Sequence, residues 1–310
     1  AYCTGMRRSP EVIQITPTGK SIAVLTTPDR FRAATFDQGP LVDYLAKGKL
    51  PSRDWVENDR FGYASGALEY GWDLRPGEAR EVDLRIPFHA PASNSPTLTD
   101  ADASAQVQQL LEQTRRQWAA SLDRVALELP PAGQHLAHSI ASNLAYILIN
   151  RDGPAIQPGS RAYARSWIRD GALTSAALLG MGHTEEVRQF LQWYAPYQFA
   201  DGKVPCCVDR RGADPLVEHD SHGELIFAVM EYYRYTHDVG FLREMWPYVQ
   251  KAVGHIDLLR QQHLTERYRG SQPCPYCGLL PESVSHEGYF DQPRHSYWDN
   301  FFALRGLKDA

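Results

Sequence analysis

The feature that most constrains the fold is a succession of helical patterns that fills the chain from residue 100 onwards. Apolar residues recur every three or four positions in the segments 107–125, 136–148, 171–181, 185–197, 223–235, 241–259 and 297–307. No strand pattern is interleaved, which argues against a βαβ sheet. Short and long loops alternate, so neighbouring helices should be antiparallel and the long loops should emerge on one side. This anatomy is typical of a barrel of helical hairpins.

The first ninety residues carry a β pattern instead. Residues 11–15 and 21–26 are β-branched runs separated by a turn. Residues 67–74 are expected to pair with residues 82–88 across a second turn. The last of these segments alternates, with one face formed by Val82, Leu84, Ile86 and Phe88. The pattern predicts an antiparallel sheet that closes part of a larger sandwich.

The predicted fold class is therefore α+β, divided into several domains. We expect a partial β-sandwich over residues 1–95, a linker and linker helix over 96–130, and a helical barrel over 131–310. The linker is predicted because residues 89–99 are rich in Pro, Ser and Thr. The chain opens at Ala1 in what resembles the middle of a strand, so we expect it to be part of a longer protein.

Charge and composition restrict the partners. The 310 residues have a formal net charge of −5, which argues against nucleic acid as the main partner, and no apolar run approaches the length of a membrane span. The cysteines are Cys3, Cys206, Cys207, Cys274 and Cys277. Cys274 and Cys277 are spaced like half a zinc site or a redox pair, but we favour free or partly buried thiols.

A dense cluster of charged and aromatic residues directly precedes the helical pattern of residues 171–181. It comprises Arg161, Tyr163, Arg165, Trp167, Arg169 and Asp170. Asp170 should lie near the helix N-terminus, where the helix dipole and flanking arginines are expected to lower the pKa of its carboxyl. An indole beside a carboxylate and a guanidinium suits a sugar ring. The alternative is an N-cap Asp with a satisfied Arg and a core Trp.

A second cluster places three carboxylates, Glu218, Asp220 and Glu224, at the mouth of the helical pattern of residues 223–235. Like charges at positions 218 and 220 should raise the pKa of one carboxyl, as a general acid requires. The alternative makes Asp220 or Ser221 a helix N-cap, with Glu224 in a capping box.

Histidines and basic residues surround this second cluster. His219 and His222 bracket Asp220 and have the spacing of a metal site, but hydrogen bonds to loop carbonyls or substrate hydroxyls are their commoner role. We therefore predict neither a metal nor a cofactor. Lys203 and Arg210 lie in the preceding long loop and are candidates for the wall of a cleft, although a solvated charge is the commoner role of each.

A third cluster comprises Glu287, Tyr297, Trp298 and Asp299, in a long loop and at the start of the last helical pattern. Asp299 serves equally well as a helix cap. The sequence contains no Gly-x-Ser-x-Gly nucleophile signature and no phosphate-binding glycine loop.

These motifs resemble a known superfamily. The stretch Trp167-Ile168-Arg169-Asp170 resembles the Trp-x-Arg-Asp motif of the six-hairpin, (α/α)6-barrel glycosidases, which include glucoamylase-like and glycogen-debranching enzymes. Residues 218–235 and 278–282 are similar to the same group. The resemblance implies an oligosaccharide or glycoside as substrate, bound by Tyr163, Arg165, Trp167, Arg169, Asp170, Lys203, His219, His222, Glu224, Glu287, Tyr297, Trp298 and Asp299.

The same resemblance implies the chemistry. Asp220 falls where related families place the general acid, with Glu218 a close second. The expected reaction is exo-acting, inverting hydrolysis of α-glucosidic bonds; a phosphorylase or a non-catalytic carbohydrate-binding protein are the alternatives. At ~30 residues per helix and loop, residues 131–310 would form about half of a six-hairpin barrel. The catalytic base would then lie beyond Ala310.

Overall fold

The chain divides into two compact units, Ala1–Trp118 and Ala119–Ala310. The computed structural model describes residues 5–9, 12–16, 20–56, 58–86, 100–265 and 275–310. The predicted linker of residues 89–99, Phe88, Cys3 and Cys274 lie outside the described residues. In the described part of the chain, no helix combines the length and apolar character needed to cross a bilayer.

The first unit contains two antiparallel sheets. Its elements are β1 (Gly5–Ser9), β2 (Val12–Thr16), β3 (Lys20–Val24), β4 (Arg30–Ala34), α1 (Leu41–Leu45), β5 (Ser65–Glu69) and β6 (Leu84–Arg85). Strands β1, β2, β3 and β6 pair in that order, and β4 pairs with β5. Ile13, Val24, Phe31 and Val56 form the centre of the buried core of this unit.

The predicted pairing of residues 67–74 with 82–88 is wrong. β5 pairs with β4, where Leu68 lies opposite Phe31, and the short β6 pairs with β3. The alternating side chains Val82, Leu84 and Ile86 are exposed. Period-two alternation in this segment therefore does not mark a buried sheet face, and only two residues of it form a strand.

The second unit is helical. Its elements are α3 (Gln134–Asn150), β7 (Ser166–Trp167), α4 (Ile168–Gly180), α5 (Thr184–Tyr194), β8 (Cys207–Asp209), β9 (Gly212–Ala213), α6 (Asp220–Thr236), α7 (Val239–Gln261) and α8 (Tyr297–Asp309). Helix α2 (Asp100–Leu122) contains the boundary between the units. All seven predicted helices are present. The small sheet β7-β8-β9 was not predicted, because strands of two or three residues leave no alternation to read.

Helix α6 is central to the second unit and packs against α4, α7 and α8. Its apolar side chains Leu225 and Val229 join Phe190, Ile168 and Ile256 in one buried core. The helix ends at His237, whose backbone is left-handed (φ 53°). Asp238 then caps α7 by accepting a hydrogen bond of 2.9 Å from the Phe241 amide. This tight connection makes α6 and α7 a helical hairpin.

Two glycines bring the backbones of α6 and α8 into contact. A Cβ atom added to Gly223 would lie 1.9 Å from the carbonyl oxygen of Phe302, and one added to Gly306 would lie 2.7 Å from the Cα of Gly223. Side chains at either position would hold the helices apart. The close approach packs Phe302 and Gly306 of α8 against the first turn of α6.

Candidate active site

The guanidinium of Arg169 joins the first two sequence clusters. Arg169 lies in the first turn of α4, and its Nη1 donates to Glu218 Oε2 at 2.8 Å and to Asp220 Oδ2 at 3.1 Å. Glu218 is largely buried, and Asp220 is fully buried. The Trp-x-Arg-Asp stretch and the start of α6 therefore form one site, although they are about fifty residues apart in sequence.

Asp220 is also held from α8. Trp298 Nε1 donates to Asp220 Oδ2 at 2.8 Å, and Ser221 Oγ donates to Oδ1 at 3.4 Å. The Trp298 ring packs between His286 and Phe302, at centroid distances of 4.5 and 4.9 Å. Asp220 thus accepts hydrogen bonds from donors on three elements, which fixes its orientation.

Glu224 lies one turn after Asp220 on α6 and is fully buried. Among the described residues, no donor reaches either of its carboxyl oxygens. Burial raises the pKa of Glu224 well above its usual value, and the charge of Asp220 raises it further. The buried site therefore favours the neutral, protonated form of Glu224.

Asp299, in the first turn of α8, is a further buried carboxyl. Its oxygens accept hydrogen bonds from Ser283 Oγ at 2.5 Å and Ser285 Oγ at 3.1 Å. Burial raises the pKa of Asp299 to about 6 in spite of these bonds, and the charge of Asp220 adds to the rise. Asp299 is not a cap, because Ser296 occupies the N-cap position of α8.

Burial is also the largest influence on the pKa values of Glu218 and Asp170. It raises the pKa of Glu218, while the ion pair with Arg169 opposes the rise. The predicted lowering of the Asp170 pKa is wrong, because burial raises it and outweighs the attraction of Arg169. Arg165 pairs instead with Asp209 and Asp214, at 2.9 and 2.6 Å.

Five carboxyl groups and one guanidinium thus form one cluster, in which Asp299 interacts with Asp220 rather than with Arg169. Among the described residues, Arg169 is the one cation that forms an ion pair with this carboxyl cluster, which comprises Asp170, Glu218, Asp220, Glu224 and Asp299. Unscreened buried charges of one sign are costly. Four of the five carboxyls have raised pKa values, so each of the four takes up a proton more readily than it would in water.

The N-cap alternatives do not describe the first two clusters. Trp167 occupies the N-cap position of α4, and Asp170 lies inside its first turn. His219 occupies the N-cap position of α6, ahead of Asp220 and Ser221. Trp167 is half-buried, with the Arg165 guanidinium 5.3 Å above its ring and Tyr163 at 6.2 Å.

Three histidines lie together, with the ring of His222 in contact with those of His219 and His255. His222 is fully buried; its Nδ1 accepts a hydrogen bond of 3.1 Å from the Val204 amide, and its Nε2 has no partner among the described residues. The ring lies 4.6 Å from His255 and 6.2 Å from His219. Burial lowers the pKa of His219 to about 4. Across the described ranges, no three His, Cys, Asp or Glu side chains are grouped to hold a metal ion.

The remaining candidates, Lys203, Glu287 and Tyr297, form no ion pair with the carboxyl cluster within the described residues. Lys203 Nζ donates to the Pro215 carbonyl at 2.5 Å, which ties it to its own loop. Glu287 is exposed and pairs with His286 Nε2 at 3.1 Å, beside Trp298. Tyr297 is 73% exposed at the start of α8. Sequence reasoning missed the serine pair that holds Asp299, because nothing in Ser-x-Ser spacing marks it.

The three cysteines within the described ranges are free thiols. Cys206 and Cys207 are buried, and Cys277 is exposed. Burial raises the pKa of both buried thiols, that of Cys207 to about 12. These two residues therefore belong to the packed interior beside β7 rather than to a reactive site.

Comparison with known proteins identifies the fold. A family model described as amylo-alpha-1,6-glucosidase matches residues 132–258. No curated protein matches the chain. A bacterial glucoamylase, solved in complex with acarbose, matches 99% of this chain with a TM-score of 0.59 and 10% sequence identity, and the chain spans 47% of that glucoamylase. The resemblance to the six-hairpin glycosidases is therefore confirmed: the chain has a glucoamylase-like helical fold and contains a region that matches the amylo-alpha-1,6-glucosidase family.

Proposed function

We propose that this chain contributes to a glycoside hydrolase that cleaves an oligosaccharide or glycoside by general acid–base catalysis. The observation that carries the proposal is the ion pair of Arg169 with both Glu218 and Asp220. In support of the proposal, Glu218, whose pKa is raised by burial, lies next to Asp220 at the Trp-x-Arg-Asp stretch. Glycosidic bond cleavage needs a protonated carboxyl next to the leaving oxygen.

Of the two candidates for the general acid, the geometry favours Glu218. Asp220 is fully buried, and its Oδ2 already accepts hydrogen bonds from Arg169 and Trp298. Glu218 accepts a hydrogen bond from Arg169 but none from Trp298, its side chain is 7% exposed, and burial raises its pKa although the ion pair opposes the rise. A general acid must reach the leaving oxygen and must be protonated beforehand. In this proposal Asp220 orients Arg169 and Trp298.

The finer proposal is exo-acting, inverting hydrolysis of α-glucosidic bonds. Trp167 offers a half-buried ring to the terminal sugar, with Asp170 and Arg169 available to its hydroxyls. Inversion requires a second carboxylate roughly 6.5–9.5 Å from the acid, whereas retention requires ~5–5.5 Å. We propose inversion, so the base should be a carboxylate at the longer of these distances from Glu218.

The experiment measures hydrolysis of α-linked oligosaccharides by the complete protein and by Glu218→Gln, Asp220→Asn and Glu287→Gln. Each variant is also given glycosyl fluorides, whose leaving group needs no proton. Loss of acid catalysis should abolish oligosaccharide cleavage and spare fluoride cleavage, and we expect this pattern for Glu218→Gln. Glu185→Gln, an exposed carboxyl on α5, is the matched control.

Other outcomes would change the assignment. The fluoride-sparing pattern in Asp220→Asn moves the acid to Asp220, and the same pattern in Glu287→Gln moves it to the exposed loop. Cleavage that requires added phosphate identifies a phosphorylase. Saccharide binding without cleavage by the complete protein, with or without phosphate, overturns the hydrolase proposal.

A further inference from the structure

A cavity of about 880 Å³ lies in the second unit, outside the carboxyl cluster. It is bounded by the segment after α3, the C-terminal end of α5 and the β8–β9 hairpin. None of the five clustered carboxyl groups lines it. Its volume lies within the range of roughly 300–1,000 Å³ that is common for small-molecule sites.

Five of the polar side chains that line this cavity have no hydrogen-bond or ion-pair partner among the described residues. Asp152, Gln157 and Arg210 line it, and within the described residues none of their side chains forms a hydrogen bond or ion pair. The same holds for the indole N–H of Trp193 and the hydroxyl of Tyr197, whose rings meet edge to face at 5.5 Å. Aromatic rings and uncommitted donors and acceptors thus border the same space.

The charges of the lining cancel. Asp152 and Asp209 contribute two negative charges, and Arg210 and Arg211 contribute two positive charges. Asp209 is already paired with Arg211 at 2.7 Å. An anion or a cation would therefore meet as much repulsion as attraction. A neutral ligand that carries many hydroxyls, each able to donate and accept, matches this lining better.

We propose that this cavity is a second, non-catalytic saccharide-binding site. Trp193 and Tyr197 supply the aromatic surface for the C–H face of a sugar ring, and Gln157, Asp152 and Arg210 bind its hydroxyls. The proposal goes beyond the proposed hydrolysis, because binding in this cavity requires none of the clustered carboxyls.

The test measures maltotriose binding by calorimetry in a Glu218→Gln background, which removes turnover from the measurement. Two sites are expected. Gln157→Ala and Arg210→Ala should each weaken one of them at least tenfold and leave the other unchanged. Neither side chain has a partner to lose, so both variants should fold. Arg243→Ala, an exposed arginine on α7, is the matched control.

Trp193→Phe tests the indole N–H separately, because it keeps an aromatic ring packed against Phe190 and Tyr194 but removes that donor. It should weaken the same site. Unchanged maltotriose binding in all three variants overturns the proposal. So does stoichiometric binding of sulfate at this cavity, which would identify an anion site. These readouts need no hydrolysis, so the saccharide site and the proposed function can fail independently.

Discussion

Replacing Gly223 with alanine should destabilise the helical unit by forcing α6 away from α8. The new Cβ would lie 1.9 Å from the Phe302 carbonyl oxygen and 2.3 Å from its carbon, whereas real Cβ atoms essentially never come within 3.0 Å of a neighbour. The helices must therefore separate locally by about 1.1 Å, the difference between 3.0 and 1.9 Å. The obstacle is backbone, so no side-chain rotation relieves it.

The magnitude follows from over-packing. Extra methyl groups in packed interiors cost about 1–3 kcal/mol, and a backbone obstacle places this substitution near 3 kcal/mol. For a unit of this size, 1 kcal/mol corresponds to roughly 2–4 °C in Tm, so we expect a decrease of about 6–12 °C. Trp298 is carried on α8, so its hydrogen bond to Asp220 should lengthen as well.

Thermal unfolding followed by circular dichroism measures the effect, and Gly254→Ala is the matched control. Gly254 is an exposed glycine inside α7, and a Cβ there meets nothing within 4 Å. That substitution should stabilise α7 by roughly 0.5–1 kcal/mol through helix propensity alone. A Gly223→Ala protein that unfolds at the wild-type temperature would refute the reasoning, as would equal losses in the two variants.

Three further predictions concern protonation. Asp299→Asn should flatten the dependence of the free energy of unfolding on pH. The raised pKa of Asp299 stabilises the fold fully below about pH 4, and this contribution, roughly 3 kcal/mol, is lost as the pH rises through 6. Urea unfolding across this range checks the prediction, and a variant whose free energy of unfolding changes with pH as in the wild type contradicts it. Glu224→Gln should raise the free energy of unfolding more at pH 8 than at pH 5. The reason is that the native acid no longer has to retain a proton that the unfolded chain releases. An equal decrease in the free energy of unfolding at both pH values would indicate an ionised Glu224. Native alkylation followed by peptide mass spectrometry should label Cys277 and spare Cys206 and Cys207; equal labelling of all three contradicts their burial.

Periodicity in the sequence predicts the helices of the second unit well, because their apolar faces repeat over three or more turns. It fails for β7, β8 and β9, which are held by a few backbone pairs such as Trp167 with Cys207. It also fails for residues 82–86, where alternation does not correspond to burial.

The sequence also predicts the candidate site only in part: it predicts the residues but not their contacts. Composition and spacing predict that Arg169, Glu218 and Asp220 are functional candidates, but not that one guanidinium nitrogen contacts both carboxylates. The charges next to Asp170 in sequence suggest a lowered pKa, while its three-dimensional burial raises it. Burial depends on the packing of α4 against α6, which no local pattern reports.

The carboxyl cluster around Arg169 also has a thermodynamic consequence for ligand binding. Because four of its carboxyls have raised pKa values, the site can change its net charge by gaining or losing protons without moving a side chain. A ligand with a basic nitrogen should therefore expel protons into the solvent when it binds, whereas a neutral sugar should expel none. The observed heat of binding for the basic ligand would then depend on the ionisation enthalpy of the buffer, whereas the heat of binding for the neutral sugar would not. Calorimetry in two buffers would therefore distinguish a charged ligand from a neutral one at this site.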